Sequence, residues 1–237
     1  MPTVTAPVKR RTTLRVFIFD LDDTLVDTTS SLIAPLERRA LARMEMAGVA
    51  VGNPEAVLAD LQRWSVHNPD TIVSKLREVH GLSEDALTLR RDVFDEADPR
   101  SLSIEPDVLD LLERIGKRGS IFLLTSGRAS YQRAKIAALG IANRFQEIVI
   151  VNPASGDTKR DALAGLRERT GVSADSMVCV GNRLDNELAA AAELGMVTVW
   201  VRYGEGSGLT PDAGFPAPDH IVDHVCELER VLRISEA

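Results

Sequence analysis

Hydrophobic and polar positions along this 237-residue chain follow two rhythms. Short, nearly unbroken apolar runs occur at 14–19, 121–125, Glu147–Val151, Met177–Gly181 and 197–202. Bulky Phe, Ile and Val at adjacent positions, without polar alternation, predict strands buried on both faces. From the second run onward, amphipathic stretches separate them: 129–139 closed by Gly140, 160–170 closed by Gly171, and 186–194 closed by Gly195. Glycine just beyond a helical pattern is a common C-terminal stop. Strand and helix in repetition predict an α/β fold, a Rossmann-like parallel sheet with helices on both faces. A short element at His220–Val222 is expected as an edge strand, and 203–219, rich in Gly, Pro and Asp, as a long surface loop.

The stretch between the first and second runs breaks this rhythm, being far too long for one crossover helix. Helical patterns at 31–46, Pro54–Trp64, 71–79 and 83–95 fill it, and 105–118 reads as the helix returning to the sheet. The expected organisation is a flexible start over 1–13, a discontinuous α/β core over 14–29 and 101–237, and an inserted all-helical cap over 30–100.

Composition narrows the partners. A 44% hydrophobic, 27% charged chain is an ordinary globular one, and a net charge of −7 disfavours a nucleic-acid backbone as partner. The basic run Lys9-Arg10-Arg11 is expected to be a solvated tail. No apolar stretch approaches the ~18 residues of a membrane span, and no secretory signal core is present. Cys179 lies in an apolar run and reads as a buried reduced thiol. The expectation is a cytoplasmic protein, without nucleic-acid or membrane partners, acting as a monomer or homodimer.

Chemistry concentrates where strands end. The first run terminates in Asp20-Leu21-Asp22-Asp23-Thr24, and such crowded carboxylates are comfortable only in water or beside a cation. The second ends in Thr125-Ser126-Gly127. Gly156-Asp157-Thr158-Lys159 follows the third, and the fourth runs into Gly181-Asn182-Arg183-Leu184-Asp185-Asn186-Glu187. Sites in open parallel sheets form at the C-terminal strand ends, so these groups could meet there and bind a metal and a phosphate side by side.

Four such motifs in this order resemble those of the haloacid dehalogenase-like hydrolase superfamily, over about residues 14–202. The insert resembles that family's helical cap. The resemblance implies a Mg²⁺-dependent phosphatase of a small phosphorylated metabolite. Asp20 would be the nucleophile that forms an aspartyl-phosphate, and Asp22 the general acid and then base, its backbone carbonyl a metal ligand. Thr125, with Ser126 and Gly127, would hold phosphate oxygens, and Lys159 would neutralise charge in the transition state. Asn182, Glu187 and Asp185 would complete the metal shell. Members that displace halide lack a second aspartate, so Asp22 points to phosphate esters.

Two positions depart from the family pattern. Asn182 stands where an aspartate is usual, and Arg160 follows Lys159 where proline is frequent. Asn182 could serve as a neutral oxygen ligand, Asp185 or Glu187 could take its place, or the chain could be a non-catalytic ligand-binding relative. A sugar-phosphate mutase of the same fold is the other alternative. Asp23 and Asp27 read as structural, His67 and His80 as surface or packing residues, and Arg128 as either solvent-facing or close to substrate.

Overall fold

The computed structural model describes residues 13–64, 69–208, 210 and 214–233. The expectations for the basic run and for His67 lie outside the described residues. Strand β1 (Val16–Phe19) is followed by a tight turn and one π-helical turn, Thr29–Ile33, that runs into α1 (Ala34–Met46). Three further helices complete the insert: α2 (Pro54–Trp64), α3 (Pro69–His80) and α4 (Glu84–Asp95). The Ser83 hydroxyl accepts from the Ala86 N–H and caps α4. Buried Glu37 on α1 accepts from Arg90 Nε of α4 at 2.9 Å. The chain returns through α5 (Pro106–Gly116), started by proline, to β2 (Ser120–Ser126).

Alternation then continues through α6 (Ala129–Ala138), β3 (Glu147–Val151), α7 (Lys159–Thr170), β4 (Met177–Gly181), α8 (Glu187–Glu193), β5 (Val197–Val201), β6 (His220–Val222) and the short α9 (Leu228–Val231). The six strands form one parallel sheet in the order β3-β2-β1-β4-β5-β6. Elements expected from the apolar runs appear within one or two residues. Even the expected start at 14 is nearly met, because Arg15 already pairs, its N–H to Ser176 and its carbonyl to the Ser120 N–H.

Two apolar clusters hold the sheet. Phe17, Phe19 and Leu123 pack with Val108, Leu111, Leu112 and Ile115 of α5, and this cluster continues into Leu32, Leu36 and Leu76 of the insert. Val16, Ile18, Phe122 and Leu124 face the other way, against Leu163 and Leu166 of α7 and Leu188 and Ala191 of α8. Full burial of each such side chain stabilises by about 1.5–3 kcal/mol before entropy is counted. β1 lies at the centre, between β2 and β4, where the strand order reverses direction. Ligands in doubly wound sheets bind at that crevice, beyond the strand ends.

Candidate active site

Asp20 follows β1 directly and is 6% exposed. Its N–H donates to the Val180 carbonyl at 2.9 Å, so β4 fixes its height. The register Phe19↔Val180, carried one step on, sets residue 20 beside 181, with Asn182 next along. Beyond Asp20 the Leu21 carbonyl accepts from the N–H groups of Leu25 and Val26, at 3.0 and 3.2 Å, and folds the chain back. Asp23 makes the turn possible. It adopts φ +53, rare for a residue with a side chain. Its buried carboxylate accepts from the N–H groups of Thr28 (3.0 Å) and Thr29 (2.8 Å) and from the Thr29 hydroxyl (2.5 Å). That capping draws helical structure back to Thr29, ahead of the expected start at 31.

The start of the expected surface loop packs on this turn. Gly204 has φ +61, and a Cβ there would stand 2.1 Å from Asp23 Cγ. The Tyr203 hydroxyl lies beside Asp27, which with burial raises it above the ordinary tyrosine range. Gly204→Ala is therefore expected to destabilise the fold by about 1–3 kcal/mol, from strain and the displaced Asp23 together. A thermal melt that matches the parent would refute this.

Lys159 opens α7 and reaches the sheet crevice, 5% exposed. Its ammonium lies 3.0 Å from Asp20 Oδ1 and 2.8 Å from Glu187 Oε2. Glu187 is almost fully buried, and its other oxygen accepts from the Arg183 N–H at 2.8 Å. Gly181 makes room for it, since a Cβ there would meet Glu187 Oε1 at 2.4 Å. One ammonium thus serves two carboxylates. Burial pushes the Asp20 carboxyl up; Lys159 opposes this, Glu187 and Asp22 add to it, and the result is about 7. Burial pulls the other way on Lys159, but Asp20 and Glu187 together raise it above the usual lysine range.

Asp22 is held at both oxygens. Thr28 Oγ1 and Lys135 Nζ each donate to Oδ1 at 2.5 Å, and Gln132 Nε2 donates to Oδ2 at 3.0 Å. Burial raises the Asp22 carboxyl, but Lys135, then Thr28 and Gln132, outweigh it and leave it below the ordinary carboxylate range. Gln132 Nε2 also lies 2.8 Å from Thr125 Oγ1 and 2.7 Å from the Ser126 carbonyl. Thr125 is fully buried. The Gly127 N–H donates to the Val151 carbonyl at 2.9 Å, so in this conformation it is not turned toward a phosphate. Thr28, Gln132 and Lys135 were not singled out in the sequence. The available signal was that Gln132 and Lys135, three apart, share one helix face and share it with Ile136. All three are buried, so polar residues occupy the stripe that packs inward.

The expected metal ligands separate. Asn182 is 1% exposed, its Nδ2 has no hydrogen-bond partner, and its backbone carbonyl accepts from Trp200 Nε1 at 3.1 Å. Asp185 is gripped by Arg183, Nε to Oδ1 and Nη2 to Oδ2, both at 2.7 Å. With Glu187 turned to Lys159, the described residues hold no group of three His, Cys, Asp or Glu side chains arranged around a metal. The donor set still suits a hard divalent cation. Three carboxyl groups, Asp20, Asp22 and Glu187, face two ammonium groups, Lys135 and Lys159, so one negative charge is in excess whenever Asp20 is ionised. The Asn182 amide, whose Nδ2 is unpartnered, also carries a neutral oxygen of the kind such a cation accepts.

Beside Asp22, a cavity of about 250 Å³ opens between the insert and the sheet domain, lined by Thr28, Leu32, Phe94, Arg128, Tyr131 and Lys135 among others. Arg128 faces it and lies 3.7 Å from Asp95. His80 is remote, packed on Trp64 and hydrogen-bonded to Asp60 at 3.0 Å.

The family model for haloacid dehalogenase-like hydrolases matches residues 14–195. The chain belongs to that family. This haloacid dehalogenase-like hydrolase is 29% identical over 228 residues to glyceraldehyde 3-phosphate phosphatase of Methanopyrus kandleri, covering 93% of this chain and 97% of the relative. It is 26% identical to N-acylneuraminate-9-phosphatase of Rattus norvegicus, over 93% and 94% of the two chains. Among solved structures it shares its fold with the haloacid dehalogenase-like protein SP0104 of Streptococcus pneumoniae (TM-score 0.69, 18% identity, 94% and 99% coverage). The same holds for YfnB of Bacillus subtilis, described as bound to magnesium (TM-score 0.65, 19% identity, 93% and 99% coverage). No described helix of the hydrolase is long and apolar enough to cross a membrane.

Proposed function

We propose that this chain is a Mg²⁺-dependent phosphatase of a small phosphorylated metabolite, working through an aspartyl-phosphate on Asp20. The observation that carries the reading is Asp20 itself. It is a buried carboxylate at the central strand's end, flanked by the Lys159 ammonium and, two residues on, by the clamped Asp22. The names of the relatives, which act on glyceraldehyde 3-phosphate and N-acylneuraminate 9-phosphate, support the substrate class.

Asp20 attacks phosphorus as the ester oxygen departs, and Lys159 offsets charge on the attacking carboxylate and the phosphoryl oxygens. Thr125, with Ser126, receives phosphate oxygens, and a modest turn of the 126–127 backbone would add the Gly127 N–H. Asp22 rests ionised, the form that takes a proton from water when the aspartyl-phosphate is hydrolysed. A dianionic phosphate arriving beside it raises its proton affinity and lets it serve first as acid. Asp20, the Asp22 carbonyl and Asn182 would hold Mg²⁺, with Glu187 and Asp185 farther out. When bound, the ion screens phosphate charge and orients the nucleophile. The helical insert acts as the cap, and the cavity beneath it seats the leaving group away from water.

The direct test is release of inorganic phosphate from a panel of small phosphate monoesters with Mg²⁺. Isomerised sugar phosphate without free phosphate would indicate a mutase instead, and ligand-induced stabilisation without turnover a binding protein. A second test concerns the metal. Asn182→Asp is expected to tighten Mg²⁺ binding by about tenfold or more, because a charged oxygen replaces a neutral one. It is also expected to lower the metal-free melting temperature by adding a buried carboxylate. Calorimetric titration showing equal or weaker Mg²⁺ binding would reject Asn182 as a ligand.

A further inference from the structure

The clamp on Asp22 is built mainly by α6, an element to which none of the four strand-end motifs assigns chemistry. Lys135 is 3% exposed, as is Gln132. Both are long polar side chains that ordinarily reach solvent, and burying them is costly unless they are paired. Lys135 delivers its ammonium to Asp22 Oδ1 at 2.5 Å, and the same ammonium lies 5.5 Å from the Tyr131 ring centroid. Gln132 spans from Asp22 Oδ2 to Thr125 Oγ1 and the Ser126 carbonyl with a single amide group. Gln132 also fills the space beside Gly127, where a Cβ would make van der Waals contact with Gln132 Cγ at 3.4 Å. The ends of β1 and β2 are thereby joined through one helix face. A carboxyl group anchored at both oxygens has one orientation, and proton transfer falls steeply when the donor is misaligned.

We propose that Lys135 and Gln132 are positioning residues that hold the Asp22 carboxyl in the orientation needed at the leaving oxygen, so that α6 sets how well the enzyme expels a basic leaving group. The inference rests on the proposed phosphatase reading. In the first step the Asp20 O–P bond forms and the ester P–O bond breaks. Its electron pair goes to the leaving oxygen, which takes the proton that Asp22 gains from solvent as the dianionic phosphate binds beside it. In the second step a water oxygen bonds to phosphorus, the Asp20 O–P bond breaks, and the water proton goes to Asp22. An aryl oxide departs without a proton; an alkoxide does not.

The experiment compares kcat/KM for an aryl phosphate and an alkyl phosphate in the full chain with Mg²⁺. In Lys135→Met the alkyl ester is expected to lose about a hundredfold and the aryl ester about tenfold or less. Lys135→Arg, which restores a cationic donor, is expected to recover part of the alkyl rate. Gln132→Leu is expected to widen the same gap by about tenfold, and it removes no charge, so it remains informative if Lys135→Met folds poorly. Equal losses on the two esters, or none, in correctly folded variants would overturn the positioning role. Lack of hydrolysis of either ester by the unaltered protein would instead overturn the phosphatase reading, and this inference with it.

Discussion

Asp20→Asn is expected to abolish phosphate-ester turnover, by roughly four orders of magnitude or more, while the protein stays folded. The amide has the same shape, but its nitrogen has no lone pair free to attack phosphorus, and its oxygen is a far weaker nucleophile than a carboxylate. No covalent intermediate can then form by the proposed route. The fold should tolerate the change, because Lys159 keeps Glu187 as partner at 2.8 Å and the site holds one buried charge fewer. The Asn182 amide and the Val180 carbonyl contact to the residue 20 N–H are untouched by a side-chain change of this size. Phosphate release from an aryl phosphate with Mg²⁺, together with a thermal melt, checks both halves. Full activity in a correctly folded variant would end the aspartyl-phosphate proposal.

Lys159→Met should remove both activity and stability, and the two losses can be separated. The ammonium is the common partner of Asp20 and Glu187, whose side chains are 7% and 1% exposed. Deleting it strands two buried carboxylates, a change that costs about 3–5 kcal/mol when one partner of a buried pair is lost. Turnover is expected to fall by about a thousandfold, the scale of losing one preorganised charge at a transition state. Adding Glu187→Gln in the same chain removes one stranded charge while leaving an acceptor for the Arg183 N–H. Denaturant melts should then recover part of the stability, while turnover stays low. Recovery of turnover in the double variant would show that Lys159 serves the fold alone.

The strands were legible because a parallel sheet buries both faces, and Val16–Phe19 and Met177–Gly181 accordingly carry unbroken apolar runs. The insert was legible from its start signals, Pro54 and Ser83, and from its helical period. The site was less so, and for particular reasons. Nothing local tells which carboxylate after β4 turns inward. Glu187 does so because Gly181 leaves room beneath the strand end, whereas Asp185 is captured by Arg183 only two residues away. Gln132 and Lys135 read as ordinary polar residues of an amphipathic helix. Only the placement of α6 against the ends of β1 and β2 brings them to Asp22 and Thr125. The start of the 203–219 loop looked solvated because its composition is that of a turn, yet Gly204 is there so that Asp23 can approach.

The central position of β1 also governs when the site can exist. β1 precedes every other described element, yet its neighbours are β2 and β4, with Val16 paired to Ser120 on one side and Met177 on the other. Pairings between such distant segments close late, since the intervening chain must first be ordered. During synthesis the helical insert emerges before either partner strand; β2 then becomes available for one edge of β1, and the other edge stays open until β4 leaves the ribosome. Asp20 is therefore made early but acquires its surroundings among the last, and a truncated chain lacking β4 would carry the nucleophile without a place to use it.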